Sequence, residues 1–149
     1  MSDDCFVCRK IRGDLSPPGG PLYEDDLVYA SHVFDVEGHG DPTYLGHLIV
    51  ETRRHARWLA ELSADEAAAV GRLLPPLARA LVDGIGADWV YTATIGTGVP
   101  HFHLHVVARY PDTPRDLPWH SVDEWDGAPK GGPDEISATV ERIRSRLRL

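Results

Sequence analysis

The chain has 149 residues, 42% hydrophobic and 26% charged, enough for one domain with its own core. Fifteen Lys and Arg against 23 Asp and Glu leave a net charge of −8, which argues against a nucleic-acid polymer as partner, because such binding leaves a basic footprint. No strictly apolar run exceeds four residues, and Met1 to Cys5 lacks the basic and apolar parts of a secretory signal, so neither a membrane span nor export is expected.

In chain order, Gly13 to Pro21 is a turn-rich connector, and residues 27–33 and 44–51, rich in Val, Ile, Leu and Tyr, read as strands around a polar loop from Asp35 to Pro42. Ser63-Ala-Asp-Glu66 carries the capping-box pattern, which predicts a helix ending near Gly84 or Gly86. Pro75-Pro76 inside it predicts a kink or two abutting helices. Residues 88–95 read as a strand, Gly96-Thr97-Gly98 as a turn, and residues 101–109 as a second strand of alternating polar and apolar positions. After a Pro/Gly-rich stretch with Trp119 and Trp125, a helix begins near Pro133, with Ile136, Val140, Ile143 and Leu147 on one stripe. Arg142, Arg144, Arg146 and Arg148 crowd its end and read as a solvated face. The sum is an α+β protein: an antiparallel sheet of about five strands, one main helix packed on it, and a C-terminal helix.

Eight histidines are unusual in so acidic a chain, and three of them, His101, His103 and His105, alternate on one strand. Alternation puts all three imidazoles on one face, with roots about 6.6 Å apart, and sends Phe102, Leu104 and Val106 to the core. A histidine-rich solvent face is the plain reading of this pattern. The H-x-H spacing also suits a catalytic zinc or iron ion, although a straight strand does not readily bring its first and third histidines to one metal. Nucleophilic catalysis is the third reading, since a neutral imidazole attacks phosphorus near pH 7 while its neighbours hydrogen-bond the phosphate oxygens or the leaving group.

Cys5-Phe-Val-Cys8 supplies half of a tetrahedral zinc site, the other two ligands to come from His or carboxylate elsewhere. A thioredoxin-like redox motif is the rival, but that motif follows a strand, whereas these cysteines sit at the chain terminus. Two cysteines are too few for a disulfide framework, so a reducing cytoplasm is the expected compartment.

His101-Phe-His-Leu-His-Val-Val107 resembles the signature of the histidine triad (HIT) superfamily of nucleotide hydrolases and transferases, H-x-H-x-H-x-x with apolar x. Three further blocks agree in order: Cys5 to Asp14 resembles the family's zinc-bearing N-terminus, Tyr23 to Val28 its first hairpin, and Gly46 to His55 its G-H-x-L-V-x-P-K-x-H segment. The likeness covers about residues 5–110, and it suggests a HIT domain over 1–112 and a C-terminal extension with its terminal helix over 113–149.

The resemblance implies a HIT-like fold, a homodimer and a small nucleotide substrate. It implies His103 as the nucleophile that forms a nucleotidyl-histidine, flanked by His105 and His101, with His47 near the phosphate. It also implies a structural zinc on Cys5, Cys8, His55 and His101, and no catalytic cofactor. Histidine rather than glutamine at His105 favours the hydrolase branch. The loop before the triad is short, leaving Thr97 and Gly98 as the candidates for substrate contact, and Asp35 is the acidic candidate for the ribose hydroxyls. Trp119 and Trp125 read as packing under a Pro-rich tail in preference to an aromatic lid, and His32, His39 and His120 receive no chemistry. The competing functions are a metal-dependent hydrolase or oxygenase using the H-x-H pair, and a non-catalytic, zinc-stabilised nucleotide-binding module.

Overall fold

A computed structural model describes residues 3–149. The elements follow in the order α1 (Phe6–Arg12), β1 (Tyr23–Glu24), β2 (Val28–His32), β3 (Thr43–Tyr44), β4 (His47–Thr52), α2 (Ala64–Ile85), β5 (Trp89–Ala93), β6 (His103–Arg109), β7 (Lys130–Gly131) and α3 (Pro133–Arg144). Five strands pair antiparallel in the order β1-β2-β4-β6-β5, and β3 and β7 form a separate two-stranded ribbon. This is the expected α+β architecture, with the small ribbon and α1 added.

Side-chain alternation gives the sheet two different faces. Val28, Ala30, Leu48, Val50, Val106 and Ala108 turn to one side, where they share a core with Leu73, Leu77 and Leu81 of α2 and Ile136, Val140 and Ile143 of α3. The register sets Glu51 opposite His103 and Ile49 opposite His105, so His47, Ile49, Glu51, His103 and His105 share the other side. One sheet thus carries an apolar face that holds the fold and a polar face that holds the histidines.

Ser63 and Glu66 cap α2 reciprocally, and Gly86, left-handed at φ 77°, ends it. The two abutting helices that Pro75-Pro76 would allow are not what forms: α2 runs as one helix of 22 residues. Pro76 is itself buried among Leu73, Leu77, Ala80 and Leu81. Burying large apolar side chains contributes about 1.5–3 kcal/mol each, which offsets the amide bonds the prolines lack. On α3 the stripe reaches the core at Ile136, Val140 and Ile143, while Leu147 lies past the helix end and packs there partly buried. Arg144 departs from the solvated-face expectation: it bonds the carbonyls of Gly19 and Pro21 and so ties the N-terminal connector to α3.

The strand expected over 44–51 is two elements, because Gly46 has φ 96° and breaks it. Its amide donates to His32 Nε2 at 2.9 Å, and a Cβ there would stand 2.8 Å from Ile85 Cδ1 and 3.0 Å from Ala108 Cβ. Only glycine satisfies both the left-handed backbone and the close approach. Gly46→Ala is therefore expected to lower the unfolding free energy by about 2–4 kcal/mol, read from urea denaturation at constant m-value.

Candidate active site and ligand cluster

The cysteines and two histidines converge although they come from three parts of the chain. Cys5 and Cys8 flank the start of α1, His55 follows β4, and His101 precedes β6; their ligand atoms all lie within 4.8 Å of one another. Cys8 Sγ is 3.2 Å from His55 Nδ1, and His101 Nδ1 is 3.5 Å from both sulfurs. Tetrahedral zinc with bonds of ~2.3 Å to sulfur and ~2.0 Å to nitrogen implies sulfur–nitrogen edges of about 3.5 Å, so both the donor set and its spacing fit that ion. The other ring nitrogen of His101 meets the carbonyl of Thr52 at 2.7 Å. A carbonyl only accepts, so Nε2 carries the proton and Nδ1 offers a lone pair to the cluster. Burial above all pushes the His101 imidazole down to about 4, which keeps the ring neutral.

His101 therefore has both nitrogens committed and none left for a phosphate. β6 begins only at His103, because the amide of Phe102 bonds Ala56 O and that of His101 bonds Val99 O, outside the sheet ladder. Of the three imidazoles that alternate along the chain, His103 and His105 are the two on the sheet ladder. His101 still serves the row through its backbone: its carbonyl accepts from His103 Nδ1 at 2.7 Å. The same rule then fixes the His103 tautomer, with the proton on Nδ1 and the lone pair on Nε2. Nε2 has no hydrogen-bond partner among the described residues.

His105 stands next along β6, its ring centroid 5.2 Å from that of His103. Its Nδ1 meets His47 Nε2 at 2.9 Å, so one proton joins the two rings. Burial, then His105 and His32, hold His47 down to about 3; burial, then His103, lower His105. Both rings are neutral at pH 7.

Behind this row lies a buried ion pair that the spacing of sequence motifs did not suggest. Lys10 Nζ of α1 is 2.6 Å from Glu51 Oε2 and donates to Ser31 Oγ at 3.3 Å. Burial raises the Glu51 carboxyl, Lys10 opposes this, and Oε1 has no hydrogen-bond partner. A signal existed in the sequence: Glu51 falls on the alternating positions of His47 and Ile49, hence on the histidine face.

Three cavities adjoin the row: one of about 350 Å³ meets His101 and His103 but not His105, and two meet His105. One of these two, of about 220 Å³, touches both His103 and His105 and is walled by Phe6, Phe34, Val36, Ile49 and Val99. The other, of about 180 Å³, touches His47 and His105 but not His103, and includes Tyr44, Trp119, His120 and Asp123. Trp119 therefore belongs to a cavity wall, contrary to the packing expectation, whereas Trp125 packs as expected, its Nε1 donating to Val122 O at 3.1 Å. The structure places the Asp35 carboxylate on the amides of Gly38 and Gly40, and it lines a separate cavity with them. The loop stabilises that carboxylate, and the neighbouring Phe34 and Val36 line the histidine cavity in its place. Thr97 and Gly98 are exposed in the β5–β6 loop, beside Val99, which does reach the cavity. His32 is structural, with Nδ1 bonded to Val33 O and Nε2 accepting from Gly46, and His39 is an exposed neighbour of Glu37.

The family model for the HIT domain matches residues 18–112. The chain belongs to the HIT domain family. Its HIT-domain relatives include Protein hit of Bacillus subtilis, 27% identical over 73% of each chain. Adenosine 5'-monophosphoramidase hnt1 of Schizosaccharomyces pombe is 28% identical over 97% of this chain and 98% of its own. Among solved structures, a Zn-bound histidine triad family protein from Mycobacterium smegmatis superposes with a TM-score of 0.70 at 22% identity, covering 97% of this chain and 95% of the other. A Hit-like protein from Bartonella henselae gives 0.70 at 20% identity over 99% of both chains. Among the described residues no helix is long and apolar enough to cross a membrane.

The neutral state of His47 has a consequence for this HIT domain's stability. A histidine whose proton affinity is lowered on folding favours the unfolded chain once protonated. Its contribution is complete above the ordinary value of 6.5 and is lost as pH falls from there toward about 3. Between pH 7.5 and pH 5 the His47 contribution should fall by about 2 kcal/mol, measured by urea unfolding at both pH values, and His47→Gln should flatten that slope.

Proposed function

We propose that this HIT domain protein is a nucleotide hydrolase or transferase that cleaves a phosphoramidate or phosphoanhydride bond at the α-phosphorus of a nucleoside conjugate. The observation that carries the reading is the 2.7 Å bond from His103 Nδ1 to the His101 carbonyl, which leaves the Nε2 lone pair unpartnered beside a second neutral imidazole. In this reading Nε2 attacks the α-phosphorus, the bond to the leaving group breaks, and that group takes the bonding electrons. With the shared proton on His47 Nε2, His105 carries its own on Nε2 and delivers it to the departing atom. Water then attacks the nucleotidyl-histidine, releasing a nucleoside monophosphate and restoring His103. The apolar cavity touching both histidines suits the nucleoside, with Thr97 and Gly98 at its loop. The phosphoramidase name of the fission-yeast relative supports the bond type.

Cys5, Cys8, His55 and His101 are proposed to hold a structural zinc, supported by the ligand spacing and by the Zn-bound structural neighbour. Four protein ligands leave no open position, so the ion would supply rigidity to the start of β6 and no chemistry. The rival reading of a catalytic H-x-H metal lacks support, since neither His103 nor His105 belongs to a group of three close ligand side chains among the described residues. Residues 113–149 are read as an extension of the domain, and a cytoplasmic homodimer completes the proposal, supported by Trp89, 63% exposed on edge strand β5.

The test is intact-mass analysis of protein quenched during turnover of adenosine 5'-phosphoramidate. Wild type should gain an adenylyl mass, and His103→Ala should gain none and lose at least ~10³ in kcat. An active His103→Ala variant overturns the nucleophile assignment, and nucleotide binding without turnover points to the non-catalytic module. Elemental analysis should give one zinc per chain, and chelation should lower Tm by about 10–15 °C, as loss of a ligand held near 1,000 times its Kd requires in a chain of this size.

A further inference from the structure

We infer that the segment Trp119 to Asp123, outside the stretch matched by the HIT domain model, builds the leaving-group subsite, and that this subsite selects a leaving group with a positive charge on an apolar stem. The inference rests on the proposed attack by His103. In-line displacement sends the leaving group away from the attacking nitrogen. The nucleoside, by contrast, stays bonded to His103 through the intermediate, and of the two cavities that meet His103 only one also meets His105, the proton donor, so the nucleoside is placed there. The cavity that meets His105 without meeting His103 lies where the departing group goes.

Its wall is built before any ligand arrives. Val122 is 2% exposed and packs with Tyr44 and Val107 on the histidine side of the sheet. Arg109 of β6 bonds the carbonyls of Pro114 and Leu117 at 2.6 and 3.0 Å, which fastens the start of the segment to the catalytic strand. Trp119 and His120 are held edge to face, with centroids 5.7 Å apart.

The chemistry of the wall points to a cation. Apart from the histidines and Tyr44, Asp123 is the one ionisable side chain lining this cavity, and no hydrogen bond or ion pair engages its carboxylate among the described residues. The Tyr44 hydroxyl is already used by Ala108 O at 2.8 Å, so Tyr44 offers only its ring. An indole and an unpaired carboxylate in the wall of one cavity suit a cation, and Ile95 and Val107 suit the stem. For an amine leaving group the P–N bond breaks, nitrogen keeps the bonding pair and takes the His105 proton, and the amine departs with its distal ammonium at Asp123.

The experiment uses three adenosine 5'-phosphoramidates that differ only in the amine: 1,4-diaminobutane, butylamine and 4-aminobutyrate. Single-turnover formation of the adenylyl-enzyme reads the leaving-group step alone, because the later hydrolysis is common to all three. Wild type should form the adduct about tenfold faster from the diamine conjugate than from butylamine, and slowest from the carboxylate. Asp123→Asn should erase that order, and Trp119→Ala should slow adduct formation from the diamine most, while both variants keep AMP affinity within about twofold of wild type. Equal rates from the three conjugates in wild type, or an unchanged order in Asp123→Asn, overturn the inference while the adduct itself upholds the function. Absence of an adduct from all three overturns both.

Discussion

The site depends on the commitments of one residue, His101. Its Nε2 proton goes to Thr52 at the end of β4, its Nδ1 lone pair to the two cysteines flanking the start of α1, and its carbonyl to His103 at the start of β6. Three separate pieces of chain are thereby joined at one point. Because both acceptors involved are carbonyls, the join also decides where the protons lie. His101 offers a lone pair to the cysteine cluster, and His103 offers one to the cavity. An imidazole in the other tautomer would be neither a ligand nor a nucleophile.

The rest of the fold can be understood as support for that arrangement. The apolar face of the sheet is anchored by α2 and α3, which fixes the β4–β6 register and sets His47 beside His105. The opposite face carries α1 at one end, held by Val7, Ile11 and Tyr29 and by the buried Lys10–Glu51 pair. A buried pair of this kind is weak evidence for stability, but removing one partner would strand a charge directly behind His103. The pair thus makes the placement of α1 specific, and α1 brings the cysteines. At the other end, the segment after β6 folds back across His105 and closes a second cavity. The histidine row is consequently flanked by two different walls: mostly apolar and aromatic, with the Lys10–Glu51 pair, on the His103 side, and aromatic with Asp123 on the other.

Much of this was legible in the sequence where the signal was local. The capping box at Ser63, the period-two strand, the C-terminal stripe and the cysteine spacing each encode their element within a dozen residues, and each appears in the fold. The misreadings were failures of local signals against tertiary context. Pro75-Pro76 did not divide α2 because the core claims that face of the helix. The strand over 44–51 divided because Gly46 must approach Ile85 and Ala108. Spacing also leaves partners unread: alternation shows which face His101 takes but not the Thr52 carbonyl that waits there, and position does not show that the amides of its own loop engage Asp35.

By itself, then, the sequence determined the chemistry available: two thiols at ligand spacing, alternating imidazoles on an otherwise apolar strand, and a family pattern that orders them. These are properties of residue type and short-range periodicity, which backbone geometry converts directly into a shared face. The tertiary structure decided the roles. Which imidazole binds sulfur and which keeps a free nitrogen depends on carbonyls 49 residues apart in one case and two in the other. The return of the segment beyond β6 sets Asp123 in one cavity wall with His105, while Asp35 lines another cavity. Hydrogen-bond competition of this kind is settled by distance in space, and no spacing along the chain records it.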